Sequence, residues 1–513
     1  MRVIKFKAKN FRGFIDTGDI TQDPINLLVG KNSIGKSSYA RLFPLFWQGI
    51  GIKKRSPLIW NGTLVDYGEF HDALSIYKKS EYIEFQFTIS NPPGVVQTRK
   101  SNLIKQASTS LLTYGNITVN LKVGYDKDRQ LTYLVSLDVI ISKECTFKFV
   151  FNAQSEITSI SYNDSETITS SDFDSYMLET RPNFIIPMHE YFMRNSEKIL
   201  YRAHPATRMA LFKFLRSSLH ARFSNEKIHD ICNQLNVIGP PDNVTIYYEK
   251  LPLSSSSWDN FISTARTNSS INQKFVKLIN ISSSLGLLRD IDHCLEVFFS
   301  NVTYINPLRA SAERYYRKQD LSIDNIDSRG ANLPFFLNSL PPKELKQLNE
   351  WLISNLDIEV VIKSTDGHVM INLKDHSTGR TNNIADMGFG FSQVLPLAVQ
   401  AWISKNTKSK TINQNKQILV WEQPELHLHP AMQRKLAKLI ANTVADNNIS
   451  FYIETHSTSI INELGCLILD GELKENEVRV LLFQQEDEGN TSVTKTAFDE
   501  DGVLKDFPLG FLS

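Results

Sequence analysis

The run Gly30-Lys31-Asn32-Ser33-Ile34-Gly35-Lys36-Ser37 is a full GxxxxGK[ST] pattern. Binding a phosphate takes backbone N–H groups that converge on an anion, with glycines allowing close approach and a helix N-terminus behind them. In that pattern Lys36 reaches the β- and γ-phosphates and Ser37 ligates Mg²⁺. Three other clusters lie far along the chain. In ILVWEQPE (418–425) an apolar run ends on Glu422, an acid placed to hold Mg²⁺, directly or through water, opposite Ser37. In FYIETHS (451–457) a strand-like run ends near His456, a residue able to hydrogen-bond an attacking water or the phosphoryl oxygens. In ADMGFGFSQ (385–393), Gly388, Gly390, Ser392 and Gln393 precede the apolar VLPLAVQAWI and form a second anion-binding helix N-terminus. One chain folding round one nucleotide needs only one such cap. A second suits two chains that face each other, each completing its partner's site.

Elements must bring these clusters together. The first 45 residues read as strand, turn, strand, Gly-rich loop and helix, with Ile25–Val29 the apolar strand before the loop. The helix should run from Ser37 to Phe46 until Pro44 disturbs it. From about Glu81 to Asn163, segments such as YIEFQFTI, NITVNLKVGY and LTYLVSLDVI alternate with period two, between turns such as NPPG and YDKDRQ. This predicts an antiparallel sheet. From about Ser170 to Ser300 the spacing turns helical, as in RMALFKFLRSSLHARF, with breaks at GPPD and Ser254–Ser257 and no sustained heptad that would build a coiled-coil arm. From Val302 the α/β pattern returns in VTYINPLR, IEVVIK, VMINLK, QILVWE and NISFYIETHS. The reading is one α/β domain in two parts, 1–165 and 301–513, flanking a helical insertion at 166–300.

The chain has 513 residues, 56 Lys plus Arg and 55 Asp plus Glu, so a net charge of +1 excludes affinity by bulk positive charge. Its four cysteines (Cys145, Cys232, Cys294, Cys466) stand far apart, which suits reduced, mostly buried thiols. The opening MRVIKFKAKNFRGF alternates as a strand, unlike a signal peptide, and no apolar run reaches 18 residues. These features predict a cytoplasmic protein without membrane contact.

The set GKNSIGKS, GFGFSQVLPL, WEQPELHLHP and ETHS, in that order, resembles the ABC-type ATPases of the SMC, RecF and OLD group. Within it, the chain is most similar to the stand-alone ATPases that accompany nucleases in Septu and retron-associated anti-phage defence. NFRGF (Asn10–Phe14), YINPLRASAERYY (Tyr304–Tyr316) and DGVLKDFPLGF (Asp501–Phe511) add to the likeness, which covers roughly 1–165 and 300–513. The resemblance implies an ABC-type P-loop head with ATP and Mg²⁺ sandwiched in a homodimer or higher assembly. Gly30 to Ser38 and Glu422 would come from one protomer, and Gly388, Gly390, Ser392 and Gln393 from the other as the signature motif. Arg12 would lie near the phosphates as a cation, or else be a surface residue. His427 and His429 would belong to a dimer-contact loop, their spacing not being that of a helical metal pair.

One position departs from the group. The residue after the Mg²⁺-binding acid is usually the glutamate that activates water, and here it is Gln423. An amide orients water but cannot take its proton, and a general base contributes roughly 10²–10⁴-fold. Slow hydrolysis is the expectation, with Glu425 a substitute base if its loop turns inward. No Toprim-like carboxylate cluster or HNH-like set follows His456, so DNA cleavage would fall to another polypeptide, such as an HNH-type nuclease. The leading expectation is an ATP-binding sensor or regulator of that nuclease in anti-phage defence, with DNA or retron nucleic acid as further partners. The alternatives are a RecF-like DNA-end-binding ATPase, using Lys53-Lys54-Arg55 and Lys405–Lys416 on phosphates, and an ATP-dependent scaffold without turnover.

Overall fold

The computed structural model describes residues 1–505 except 78, 92–109, 112–114, 170–176, 182–183, 196–197, 203–204, 252, 254, 320–322, 366, 407–415 and 446–447. Residues 92–94 of the NPPG turn, 254 of the serine run, 407–415 of the lysine-rich segment and 506–511 of DGVLKDFPLGF therefore lie outside the described residues.

Six strands form a sheet in the order Val302–Ile305, Gln417–Glu422, Ile449–Glu454, Ile25–Gly30, Val478–Gln485, Thr491–Ala497. The first five run parallel and the last is antiparallel. Ile25–Gly30 and Ile449–Glu454 are buried along their whole length, as befits a parallel sheet covered on both faces. Alternation assigns the residues to two cores. Leu28, Val420, Tyr452 and Phe483 enter one, while Leu27, Val29, Trp421, Ile453 and Leu482 enter the other. The sheet is thus the wall between two hydrophobic cores. Because its central strands are parallel neighbours, Gly30, Glu422 and Glu454 end at the same edge.

On one side lies a nine-stranded antiparallel sheet built from Arg2–Phe11, Phe14–Asp16, Ile20–Thr21 and, apart from Ser110–Leu111, the strands from Ile83–Asn91 to Ser165–Thr169. Phe6 packs edge-on against Phe43 and Phe299, and Phe46 stacks on Phe299 at 4.3 Å, tying this sheet to the helices beneath it. The other side carries the helices Phe389–Asn406, Pro430–Val444 and Thr458–Leu469. The α/β head, its antiparallel region and its helical part all match the fold class read from the sequence. Among the described residues, no helix is long and apolar enough to cross a membrane.

Several details differ from the sequence reading. Three short antiparallel strands, Met177–Arg181, Met188–Asn195 and Lys198–Arg202, occupy a stretch whose spacing looked helical. Strands this brief set no period of their own, and the long helical patterns after them dominate any window. IEVVIK and VMINLK pair with each other in a separate antiparallel sheet rather than joining the parallel one. Helices gather their own core around Leu211, Ile228, Trp258, Phe261 and Phe275. The 32-residue helix Ser269–Ser300 starts in that core and ends in the main one, where Leu288, Leu295 and Phe299 are buried. After the Gly-rich loop the helix breaks at Arg41, between Lys36–Ala40 and Leu42–Trp47. Pro44 has no N–H to give the Ala40 carbonyl and its ring crowds that oxygen, so the break falls one turn ahead of it.

Candidate functional site

Two glycines fix the loop after Ile25–Gly30. A Cβ on Gly30 would stand 2.8 Å from the Phe483 carbonyl of the neighbouring strand, and Gly35 has φ 103° with the Phe14 ring 3.0 Å from where its Cβ would be. Lys36 is buried and its ammonium donates to the Gly30 and Lys31 carbonyls at 2.9 and 2.7 Å. Burial lowers its pKa, against the opposing charges of Glu454 and Glu425. The loop opens onto a cavity of about 960 Å³ lined by Lys31 to Gly35, Ser38, Arg12, Asp72, Tyr77 and Thr491 among others. Arg12 therefore reaches the loop's cavity, its guanidinium donating to the Asp72 carbonyl at 2.8 Å.

Two carboxylates stand side by side at the strand ends, since Glu422 and Glu454 are register partners on parallel neighbours. Both are buried, at 1% and 3% exposure. Glu422 is grasped by Arg41, whose Nε and Nη2 each donate at 2.7 Å, and by the Tyr304 hydroxyl at 2.8 Å. Ser37 instead donates its hydroxyl to Glu454 Oε1 at 3.0 Å. Glu454 Oε2 is buried without a hydrogen-bond partner. Burial, then the neighbouring Glu422 charge, pushes the Glu454 pKa up to about 7, against the Ser37 hydrogen bond and the Lys36 and Arg41 charges.

The segment after Glu422 turns sharply. Gln423 has φ 42° and gives its N–H to the Glu454 carbonyl at 2.8 Å. That turn swings Glu425 inward, where Oε1 accepts from the His456 N–H at 2.7 Å and Oε2 is buried without a partner. Burial raises the Glu425 pKa, opposed by the His456 N–H and by Arg309. The exposed His456 has its pKa lowered by desolvation and by Lys36. Arg309 bridges from Gln393 Oε1 at 3.3 Å to the Pro424 carbonyl at 3.3 Å, and burial pushes its pKa down to about 10. His429 caps helix Pro430–Val444 through its side chain, and His427 lies 5.8 Å from the Phe389 ring.

The sequence-selected residues divide into two groups. Gly30 to Ser38, Arg12, Glu422, Glu425, Gln423 and His456 converge on one edge of the parallel sheet. Gly388, Phe389 and Gly390 sit at the surface beside the His427 loop, while Ser392 and Gln393 are buried, the Ser392 hydroxyl donating to the Phe389 carbonyl at 2.7 Å. Of the residues considered for phosphate contacts, Lys54 turns inward, its buried ammonium 5.3 Å from the Phe184 ring. Arg41, Tyr304, Arg309 and Glu454 were not singled out from sequence. Glu454 had the signal that found Glu422, an apolar run closing on an acid, but His456 two residues on drew the attention. The donor set suits a magnesium ion: a hydroxyl, two buried carboxylates, and one carboxylate oxygen lacking any partner.

Residues 1–461 match the family described as AAA ATPase domain. Among solved structures, the chain is similar to the Smc head domain with an extended coiled coil, bound to the C-terminal domain of ScpA, from Pyrococcus furiosus. Identity there is 11%, coverage 97% of this chain and 96% of that chain, and the TM-score 0.36. It is also similar to the SMC head domain from Thermotoga maritima, at 9% identity, 96% and 98% coverage, and a TM-score of 0.37. No curated protein matches the chain.

Proposed function

The chain belongs to the family of AAA ATPase domains, and on that premise we propose that it is the ATP-binding sensor of an anti-phage defence pair of the PtuA type, governing a separate HNH-type nuclease in the cytoplasm. The units would be the head parts 1–165 and 301–513 and the helical insertion 166–300. ATP lies against Gly30 to Ser38, with Lys36 leaving its two carbonyls for the phosphates and Arg12 adding a cation from the cavity wall. Magnesium would neutralise phosphate charge, with Ser37 and one of the paired strand-end acids to hold it, Glu422 being the one the sequence pattern points to. A second copy closes the site by presenting Gly388 and Gly390 of its signature segment, braced from within by Ser392 and Gln393.

The observation that carries the sensor reading is the amide at 423, where an ATPase built for speed needs a proton acceptor. The chain's own residues bind and enclose the nucleotide, Gln423 and His456 orient water, and Glu425 is the acid its loop turns inward. ATP then acts as a conformational clamp more than as fuel. The test is to co-express the protein with an HNH-type nuclease from a neighbouring reading frame, co-purify the two, and follow DNA cleavage as ATP is added or depleted. Cleavage governed by ATP and lost or unleashed in Lys36→Ala supports the reading. Cleavage indifferent to both sinks it, and steeply salt-dependent DNA binding by the isolated chain would favour the RecF-like alternative.

A further inference from the structure

We infer that Glu454, and not Glu422, is the carboxylate that receives the divalent cation beside Ser37, while Glu422 is a strut permanently paired with Arg41. This deepens the nucleotide-binding reading and rests on it. A cation site needs an anionic oxygen with an unused lone pair, facing the hydroxyl that shares the metal. Glu454 meets both conditions. Its Oε1 already lies 3.0 Å from Ser37 Oγ, and Oε2 is buried with no hydrogen bond at all. Glu422 meets neither. Its two oxygens take a guanidinium fork from Arg41 and a third bond from Tyr304. A fork of this kind neutralises the charge and fixes its direction. Pulling Glu422 away to a metal would strand a guanidinium that cannot shed its proton, a costly outcome for a buried pair. The two acids are register partners on adjacent strands, so exchanging their duties needs no backbone movement.

The experiment uses the full chain and reads binding apart from turnover. A fluorescent ATP analogue is titrated with and without Mg²⁺, and Mn²⁺ bound with ATP is counted by electron paramagnetic resonance. Thermal unfolding of each variant is recorded alongside. Glu454→Gln should keep metal-free nucleotide binding and lose metal affinity by about 10–100-fold or more. Glu422→Gln should keep Mn²⁺ binding and unfold at a lower temperature, because Arg41 loses its partner. If Glu454→Gln does not fold, Glu454→Asp is read instead, since drawing the carboxylate back by one methylene should weaken Mn²⁺ in the same way. The inference is overturned if Glu422→Gln loses the metal while Glu454→Gln retains it, or if both lose it equally. Wild-type protein that binds no ATP even without metal would overturn the underlying nucleotide reading, a result separable from either metal outcome.

Discussion

Gln423 and Glu425 put a number on the proposed chemistry. Gln423 follows the buried Glu422 at a positive φ of 42° and stands at the sequence position where the proposed chemistry calls for a base. Installing the acid by Gln423→Glu should raise single-turnover hydrolysis by ~10²-fold or more, the lower end of a general base's contribution. Glu425→Ala should slow the residual wild-type rate, because Glu425 is an inward acid near Lys36, on the loop that follows Gln423. Wild-type turnover that is already fast and depends only on Glu425 would defeat the claim that Gln423 limits the site. The loop, Glu422 and Gln423 stand out in the sequence because each lies in a pattern of adjacent residues. Arg41 and Arg309 carry none: their roles come from pairings far along the chain, Arg41 with Glu422 and Arg309 with Gln393. An arginine five positions after a lysine looks like any solvated helix charge until the strand facing it is known.

The long helix Ser269–Ser300 shows the same division. Its periodicity could be read directly, but not that it leaves one core for another, nor what its polar residues meet. Asp292, 6% exposed, accepts three backbone N–H bonds, from Phe184, Ile185 and Ile186 at 2.8–2.9 Å, and so pins that segment to the helix. Burial pushes its pKa up to about 6, with those N–H groups pulling the other way and Glu296 adding to the rise. Lys54, its nearby cation, is pushed down to about 8 by burial. Between pH ~4 and ~6 the native state holds the Asp292 proton that the unfolded chain has released, so this group's contribution to stability falls as pH rises through that window. The loss amounts to about 3 kcal/mol. Lys54 acts in a separate window, between pH ~8 and ~10.5, where the folded state has lost the proton first and stability rises with pH. Urea unfolding at pH 4 and 6.5 should show a smaller decline in Asp292→Asn than in wild type. Parallel declines would remove Asp292 as their source.

Two cores divided by one parallel sheet leave the cavity proposed for the nucleotide and the segment proposed as the signature on different parts of the surface. Phe389–Asn406 is anchored by its buried middle, and its start, with Gly388 at φ 79° and Phe389 at 61% exposure, stands open to another molecule. A segment so placed serves a second copy better than its own loop. Two copies bearing +1 each repel negligibly, so nothing in the overall charge opposes closure. Gly388→Arg places bulk on that surface, with open space around its Cβ and a left-handed strain of about 1–2 kcal/mol that a folded domain tolerates. Light scattering with ATP and Mg²⁺ should show wild-type dimers, and Gly388→Arg monomers that still bind nucleotide through their own loop, more weakly than the closed dimer does. Gln423→Glu should form the dimer and lose it within a turnover, since the clamp lasts only while ATP does. Dimerisation of Gly388→Arg at wild-type affinity would place the interface elsewhere and leave the signature segment without a partner site to complete.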